Sequence, residues 1–353
     1  MSMWTDILAN PANLQTVLHS HLASDRNVLT KAARLIHQAG RVAFTGVGSG
    51  MNAIIPASYY LMSVGFPSQY LDTTEAAYQL FPGLKDSAIV LNTRSGETAE
   101  LVRLAGLARQ HRIPTIAVTN EPESQVGQIA DLCLPTYSRW DELIVVSAFL
   151  GMAATELLLA GMVAGEFERM ADDIQKAARL LPGFLEQVIS QRQELLDTLY
   201  NALPLYLLGR GPSLASAVSG ALVIQETSRR DVIALPTGLF RQGPIEVVGP
   251  RFRAMMFEGN SETALLNFRL AQELLQQGGK IVWIGPTHLP GAANIPLPNL
   301  PEHILPLLEI IPTQVLAYDL ALFDGIEPGQ VQHIQRVITS EHGIMSLIQP
   351  PPR

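Results

Sequence analysis

The residues best suited to chemistry cluster between Asn92 and Leu101, in the order NTRSGETAEL. Thr93, Ser95 and Thr98 offer hydroxyls, Arg94 a permanent positive charge, and Gly96 the freedom a tight turn needs. If a helix follows, its first backbone N–H groups face outward, and Ser95 or Thr98 can cap it. Hydroxyls, amides and one guanidinium together suit an oxyanion, a phosphate monoester above all. The same letters also describe an ordinary capped helix start, with Glu97 in the first turn where the dipole favours it. The local pattern leaves both readings open.

A second candidate is Glu226, which closes the run Gly220-Ala221-Leu222-Val223-Ile224-Gln225-Glu226. Its apolar neighbours would strip water from the carboxylate and raise its pKa toward the range useful for acid–base work. An ion pair with Arg229 or Arg230 is the plainer alternative. Phe240-Arg241-Gln242-Gly243-Pro244 sets two long polar side chains before a fixed turn, suited to a cleft or to the surface. His333 and Arg336 follow a Pro-Gly turn near the end of the chain and could point back into a site. The eight histidines show no HExxH or related spacing, so no metal is expected. There is no GxSxG elbow. Gly46-Val47-Gly48-Ser49-Gly50 lets a ligand or a neighbouring turn approach closely, but it is not a complete GxGxxG, so no nucleotide cofactor is expected.

The elements that must position these residues alternate. Apolar runs at 41–45, 68–71, 88–91, 113–118 and 131–134 read as strands. Helical spacing separates them at 28–39, 51–64 (with Pro56 marking a kink or late start), 74–80, 99–109 and 126–130. The stretch 140–163 reads as one long apolar helix and 167–193 as a more charged one carrying Pro182. The second half then repeats the opening: strand 205–208, turn Gly209-Arg210-Gly211-Pro212-Ser213, helix 214–226. Strands follow at 232–235, 254–257, 280–285 and 295–297, and helices at 263–276 and 304–323. The pattern predicts an α/β fold, two tandem three-layer αβα sandwiches with parallel sheets. The expected division is 1–190, holding a lead-in helix, the first unit and linking helices, and 191–353, holding the second unit and a tail.

Composition sets outer limits. The chain has 353 residues, enough for two domains. Its hydrophobic content of 47% against 16% charged residues is high, and some of the surplus is expected at a subunit interface; the stretch 143–163 reads as a core or interface helix, and it and 304–323 are compatible with a dimer. Net charge is -8 without a basic cluster, so nucleic acid is not an expected partner. Cys133 is the single cysteine, which excludes an internal disulfide and suits a small buried residue. Neither a signal peptide nor a membrane span is expected, which makes the cytoplasm the expected location.

These pieces together resemble the double SIS (sugar isomerase) domain family, a flavodoxin-like arrangement. The chain is most similar to the isomerase half of glucosamine-6-phosphate synthase and to amino-sugar-phosphate deaminases and deglycases. Arg94-Ser95-Gly96-Glu97-Thr98 carries the resemblance most specifically. Gly209-Arg210-Gly211, Gln225-Glu226-Thr227-Ser228, Arg241-Gln242-Gly243-Pro244 and the ending 319–339 match in the same order. The resemblance implies that Thr93, Arg94, Ser95 and Thr98 hold the phosphate of a phosphosugar, aided by Ser49 and Gly50. Glu226 falls on the catalytic glutamate that moves a proton between C1 and C2 of the open-chain sugar. Gln242 stands where the family has a histidine that assists ring opening, often from the neighbouring subunit; an amide can hold a hydroxyl but is no base near neutral pH. Arg336 stands on a lysine near the C-terminus and Gln225 on another before the glutamate. Arg336 keeps the charge but gives up no proton readily. His333 is the candidate to replace the missing histidine. The implied function is isomerisation, deamination or deglycation of a ketose or amino-sugar 6-phosphate, without glutaminase activity, in a homodimer with sites near the subunit interface. The alternative is a phosphosugar-binding regulatory protein with little or no catalysis.

Overall fold

The computed structural model describes residues 3–141, 144–260, 262–333 and 337–340. Helices α1 (Met3–Ser20) and α2 (Arg26–Ala39) lead in, joined by a π-helical turn over His21–Asp25. The first unit follows as β1 (Val42–Gly46), α3 (Ser49–Ala53), α4 (Ile55–Ser63), β2 (Ser68–Asp72), α5 (Thr73–Tyr78), β3 (Ala88–Thr93), α6 (Ala99–Gln110), β4 (Thr115–Thr119), α7 (Gln125–Ile129) and β5 (Leu132–Pro135). Three helices come next: α8 (Ser147–Val163), α9 (Phe167–Ser190) and α10 (Arg192–Leu199). The second unit is β6 (Leu205–Gly209), α11 (Leu214–Ser228), β7 (Val232–Pro236), α12 (Thr237–Phe240), β8 (Arg253–Phe257), α13 (Ala264–Gln276), β9 (Lys280–Gly285), β10 (Ala293–Pro296) and α14 (Pro306–Phe323).

Both sheets are wholly parallel. The first runs β2-β1-β3-β4-β5 and the second β7-β6-β8-β9-β10, so the two units share one strand order. The repeat suggested by the two glycine turns is thus a repeat of whole topology. β1, β3, β4, β6 and β8 are buried along their full lengths, as strands covered on both faces must be. Alternate residues divide between layers. Ala43, Ile89, Leu91 and Ala117 face a core closed by α5 and α6. Phe44, Val90, Ile116 and Val118 face a larger core with α1, α2, α4 and α8. That larger core continues without a break to Leu207, Met255, Phe257, Val282 and Ile284 of the second sheet. The outer layer of the second unit packs Trp283, Met256 and Leu208 against Phe240, Leu270 and Leu274.

Local signals explain most boundaries. Asp72 caps α5 by accepting the Thr74 and Glu75 N–H groups at 2.8 and 3.1 Å. Gly40, at φ 75°, ends α2 with its N–H on the Ile36 and His37 carbonyls. Pro56 sits in the first turn of α4 and separates it from α3, as expected.

Two expectations need correction. The long helix does not begin at Trp140. The described residues from 136 to 146 are not helical, and α8 starts at Ser147, where Asp141 accepts the N–H groups of Val146, Ser147 and Ala148 at 2.8–3.1 Å. A buried carboxylate gathering three amides at a helix start outweighs the apolar character of the preceding residues. Nor do the apolar helices offer a face to another subunit. α8 is buried on all sides but Met162, and α14 on nearly all. They form the layer between the sheets, where a helix needs no polar face. The segment Glu302–Phe323 is long and apolar enough to cross a membrane by length and composition, and 94% of its most apolar window is buried inside the fold. Asn10 Nδ2 donates to Gln314 Oε1 at 2.8 Å, tying α1 to α14 across this layer.

Cys133 is half-buried rather than fully buried, and burial pushes its thiol up to about 11. The expected division at 190 falls between α9 and α10, both of which pack into the shared core.

Candidate functional site

The first sheet reverses its strand order between β1 and β3, so the turns that leave these strands diverge and open a crevice at their C-terminal ends. Steric limits shape the floor. A Cβ on Gly50 would lie 2.9 Å from the Asn92 carbonyl oxygen, so only glycine lets the two turns approach this closely. Asn92 Nδ2 locks the approach by donating to the Gly50 carbonyl at 2.8 Å. Asn92 was within the stretch singled out from sequence but was not chosen as a site residue. A polar residue ending an otherwise apolar buried strand is the signal that marks it.

The loop from Thr93 to Thr98 is held by its own side chains. Thr93 Oγ1 accepts the Gly96 N–H at 3.1 Å and Ser95 Oγ the Glu97 N–H at 3.3 Å. Gly96 adopts φ 67°, and a Cβ there would fall 1.7 Å from Ser124 Oγ. Thr98 occupies the N-cap position of α6, but its side chain makes no capping bond. The Ala99 N–H is taken instead by the Ile338 carbonyl at 3.0 Å. Glu97 is not in the first turn of α6. Its carboxylate accepts from the Gln125 N–H at 2.9 Å and from Gln125 Nε2 at 2.6 Å, fixing the start of α7. The Arg94 guanidinium lies 5.2 Å from the Trp140 ring centroid, in cation–π range.

These turns enclose a cavity of about 180 Å³. Ser49, Gly50, Thr93, Arg94, Ser95 and Thr98 all line it, together with Asn92 and the apolar Val47, Val145 and Met152. Glu226 lines it too, carried in from the second unit by α11. Val337 and Ile338, near the end of the chain, complete the wall. A larger cavity of about 320 Å³ opens beside Arg41, Phe66 and Ser68, where β1 and β2 begin. It lies at the opposite end of the strands and holds no carboxylate, so the smaller cavity is the better candidate.

Burial pushes the Glu226 carboxyl up to about 7, against an opposing pull from the Arg94 charge. The plainer pairing with its sequence neighbours does not occur. Arg230 binds Asp324 through both Nε and Nη2, and Arg229 Nη2 donates to the Gln330 carbonyl at 3.2 Å. Glu226 therefore sits as a carboxyl of near-neutral pKa in a cavity also lined by the Arg94 guanidinium and by four hydroxyl residues, Ser49, Thr93, Ser95 and Thr98. Helix α11 continues two residues past it, to Ser228.

The remaining candidates separate. His333 is exposed and shares with Glu226 a second cavity of about 220 Å³. Gln242 is exposed in the turn after α12, outside both cavities. Gln225 borders the second cavity while its Nε2 donates to the Val232 carbonyl at 3.1 Å. Arg336 lies outside the described residues. Among the described residues no group of three or more His, Cys, Asp or Glu side chains could hold a metal ion.

The SIS domain family model matches residues 35–161, the part that contains the loop at 93–98. Two glutamine–fructose-6-phosphate aminotransferases (isomerizing) are similar along 96% of this chain. The one from Pyrococcus horikoshii is 24% identical and the one from Pseudomonas putida 27%. The chain spans 58% and 59% of those two proteins. Among solved structures, the C-terminal domain of glucosamine-fructose-6-phosphate aminotransferase from Francisella tularensis superposes with a TM-score of 0.82 at 20% identity, covering 93% of this chain and 97% of that one. Glucosamine-6-phosphate deaminase from Thermotoga maritima does so with a TM-score of 0.73 at 24% identity, covering 91% and 99%. At these identities the structural likeness shows the fold, here two parallel-sheet units in tandem. Residues 35–161 thus carry a SIS domain match, and the chain as a whole is similar in sequence to part of the isomerizing aminotransferases and in fold to the structures named above.

Proposed function

We propose that the protein is an enzyme acting on a ketose or amino-sugar 6-phosphate by proton transfer between C1 and C2. One observation carries the reading: a carboxyl poised near pH 7 faces the same cavity as an arginine and hydroxyl loop. The phosphate would lie against Thr93, Arg94, Ser95 and Thr98, with Ser49 and the Gly50 turn closing the other side. This anchoring sets the far end of an open-chain sugar toward Glu226. The carboxylate then removes the proton from one of the two carbons, and the electron pair forms the C1–C2 double bond of an enediol or enolamine. Returning the proton to the other carbon completes the exchange, while the oxygen or nitrogen protons move in the opposite sense.

A second reading has its own support. Gln242 is exposed and no imidazole among the described residues lines the first cavity, which favours a phosphosugar-binding regulatory protein with little turnover. In the catalytic reading a second copy of the chain would sit against the exposed surface of Leu239, Gln242 and Val247, and sedimentation velocity reads that association directly.

The deciding experiment follows fructose 6-phosphate with ammonia, glucosamine 6-phosphate and fructosamine 6-phosphates by NMR. Turnover that disappears in Glu226→Gln supports the enzyme. Binding of these ligands without turnover of any supports the regulatory reading. Arg94→Ala should weaken phosphosugar binding on the order of tenfold by calorimetry, the loss of one charge-assisted contact. Unchanged affinity would remove the phosphate assignment.

A further inference from the structure

We propose that Trp140 is a positioning residue for the phosphate: its ring holds the Arg94 guanidinium in the wall of the cavity at 93–98. The inference rests on the phosphosugar reading and adds to it a residue that does not itself touch the ligand. Arg94 lines that cavity and Trp140 does not. The guanidinium carbon lies 5.2 Å from the indole centroid, inside the range at which the negative face of the ring attracts a cation. An arginine has many rotamers to lose on gripping a ligand, so a site gains affinity when the side chain is held in place beforehand. A carboxylate would hold it by its N–H edge and offset its charge. An aromatic ring holds it by its face, keeps the charge, and does not compete for the donors in the guanidinium plane.

Both partners are fixed to one turn, Thr119-Asn120, at the end of β4. The Arg94 carbonyl accepts the Asn120 N–H at 3.2 Å and the Thr119 hydroxyl at 3.3 Å. From the other side, the Thr136 N–H donates to the Thr119 carbonyl at 2.9 Å and its hydroxyl to Asn120 Oδ1 at 2.8 Å. Thr136 opens the segment that carries Trp140. The residues flanking the indole are tied as well. The Arg139 N–H donates to Asn13 Oδ1 at 2.6 Å, and Asp141 takes the first amides of α8. The ring is therefore placed by bonds to the β4 turn, to α1 and to α8, and Arg94 rests against a surface fixed before any ligand arrives. Asn13 belongs to the lead-in helix α1, so part of the grip on the phosphate is set from outside the first sheet and its turns.

Calorimetry of fructose 6-phosphate on the full chain tests the inference. Trp140→Leu, which keeps apolar bulk but has no π face, should weaken binding about fivefold, and Trp140→Phe should stay within about twofold of wild type. In the Arg94→Ala background Trp140→Leu should change affinity less than about twofold, because a residue that acts through Arg94 has nothing left to act on. Fluorinated tryptophans give a second measurement that leaves the shape of the ring almost unchanged. Incorporated biosynthetically, they draw charge from the ring face, so affinity should fall stepwise with fluorine number. That trend should vanish in Trp140→Phe, where no fluorinated ring stands behind Arg94. An affinity that is flat across the fluorinated series overturns the inference, as does a Trp140→Leu loss of equal size with and without Arg94. If fructose 6-phosphate binds and responds to Arg94→Ala but not to either change at Trp140, the phosphosugar reading stands and the positioning role falls. If the wild type does not bind it, both fall.

Discussion

At the scale of single residues, Glu226 links chemistry to pH. Its carboxyl titrates near 7, so the base form grows as pH rises through neutrality. In the catalytic reading kcat/KM should climb about tenfold per pH unit below that value and level off above it. A profile flat from pH 5 to 8 would remove Glu226 as the base. The same shift sets a stability term of opposite sense. The folded pKa is raised above the unfolded value, so the contribution is full below about 4.5 and is lost as pH rises through about 7. Glu226→Gln should therefore raise Tm relative to wild type by about 2 °C more at pH 8 than at pH 5, as scanning fluorimetry reads. Glu309, pushed up to about 7 by burial despite hydrogen bonds from Ser213 and Ser216, follows the same sign and remains in the variant as background. The apolar neighbours Leu222, Val223 and Ile224 made the desolvation of Glu226 legible in the sequence. Its electrostatic partner was not legible, because local spacing offers Arg229 and Arg230, whereas the folded chain brings Arg94 from the other unit.

At the scale of elements, strands and helices were legible wherever periodicity and punctuation agree. Asp72, Gly40 and Pro56 each acted as their types suggest. Long-range capping was not legible. Asp141 starts α8 from six residues before it, and Glu97 serves α7 rather than α6. Removing the cap by Asp141→Ala leaves three buried N–H groups without an acceptor. It should cost about 2–3 kcal/mol in a urea titration. The loop at 93–98 depends on backbone geometry as much as on its hydroxyls. Gly96→Ala combines a left-handed φ with an overlap against Ser124, and should destabilise the fold by about 2–3 kcal/mol and weaken phosphosugar binding together. An alanine variant with wild-type stability and affinity would show that the loop relaxes freely.

At the scale of the whole molecule, the duplication was legible from two glycine turns and the alternation of elements, and the structure extends it to a shared strand order. The location of the surplus apolar surface was not legible. Composition alone cannot tell a helix buried by its own chain from one buried by a partner, and α8 and α14 are of the first kind. Their core joins both sheets, so the units should unfold as one. Trp140 reports on the first and Trp283 on the second; single-tryptophan variants should give coincident denaturation midpoints. The cavity at 93–98 draws its hydroxyls and guanidinium from the first unit and its carboxyl from the helix after the first strand of the second. In the catalytic reading, grip and reactivity are thus encoded in separate halves of the chain. On that reading, a lineage could alter what happens at the sugar's reacting end by changes after residue 200 while the hold on its phosphate is inherited intact. Recombination between relatives at the α9–α10 junction would create new pairings of the two in a single step.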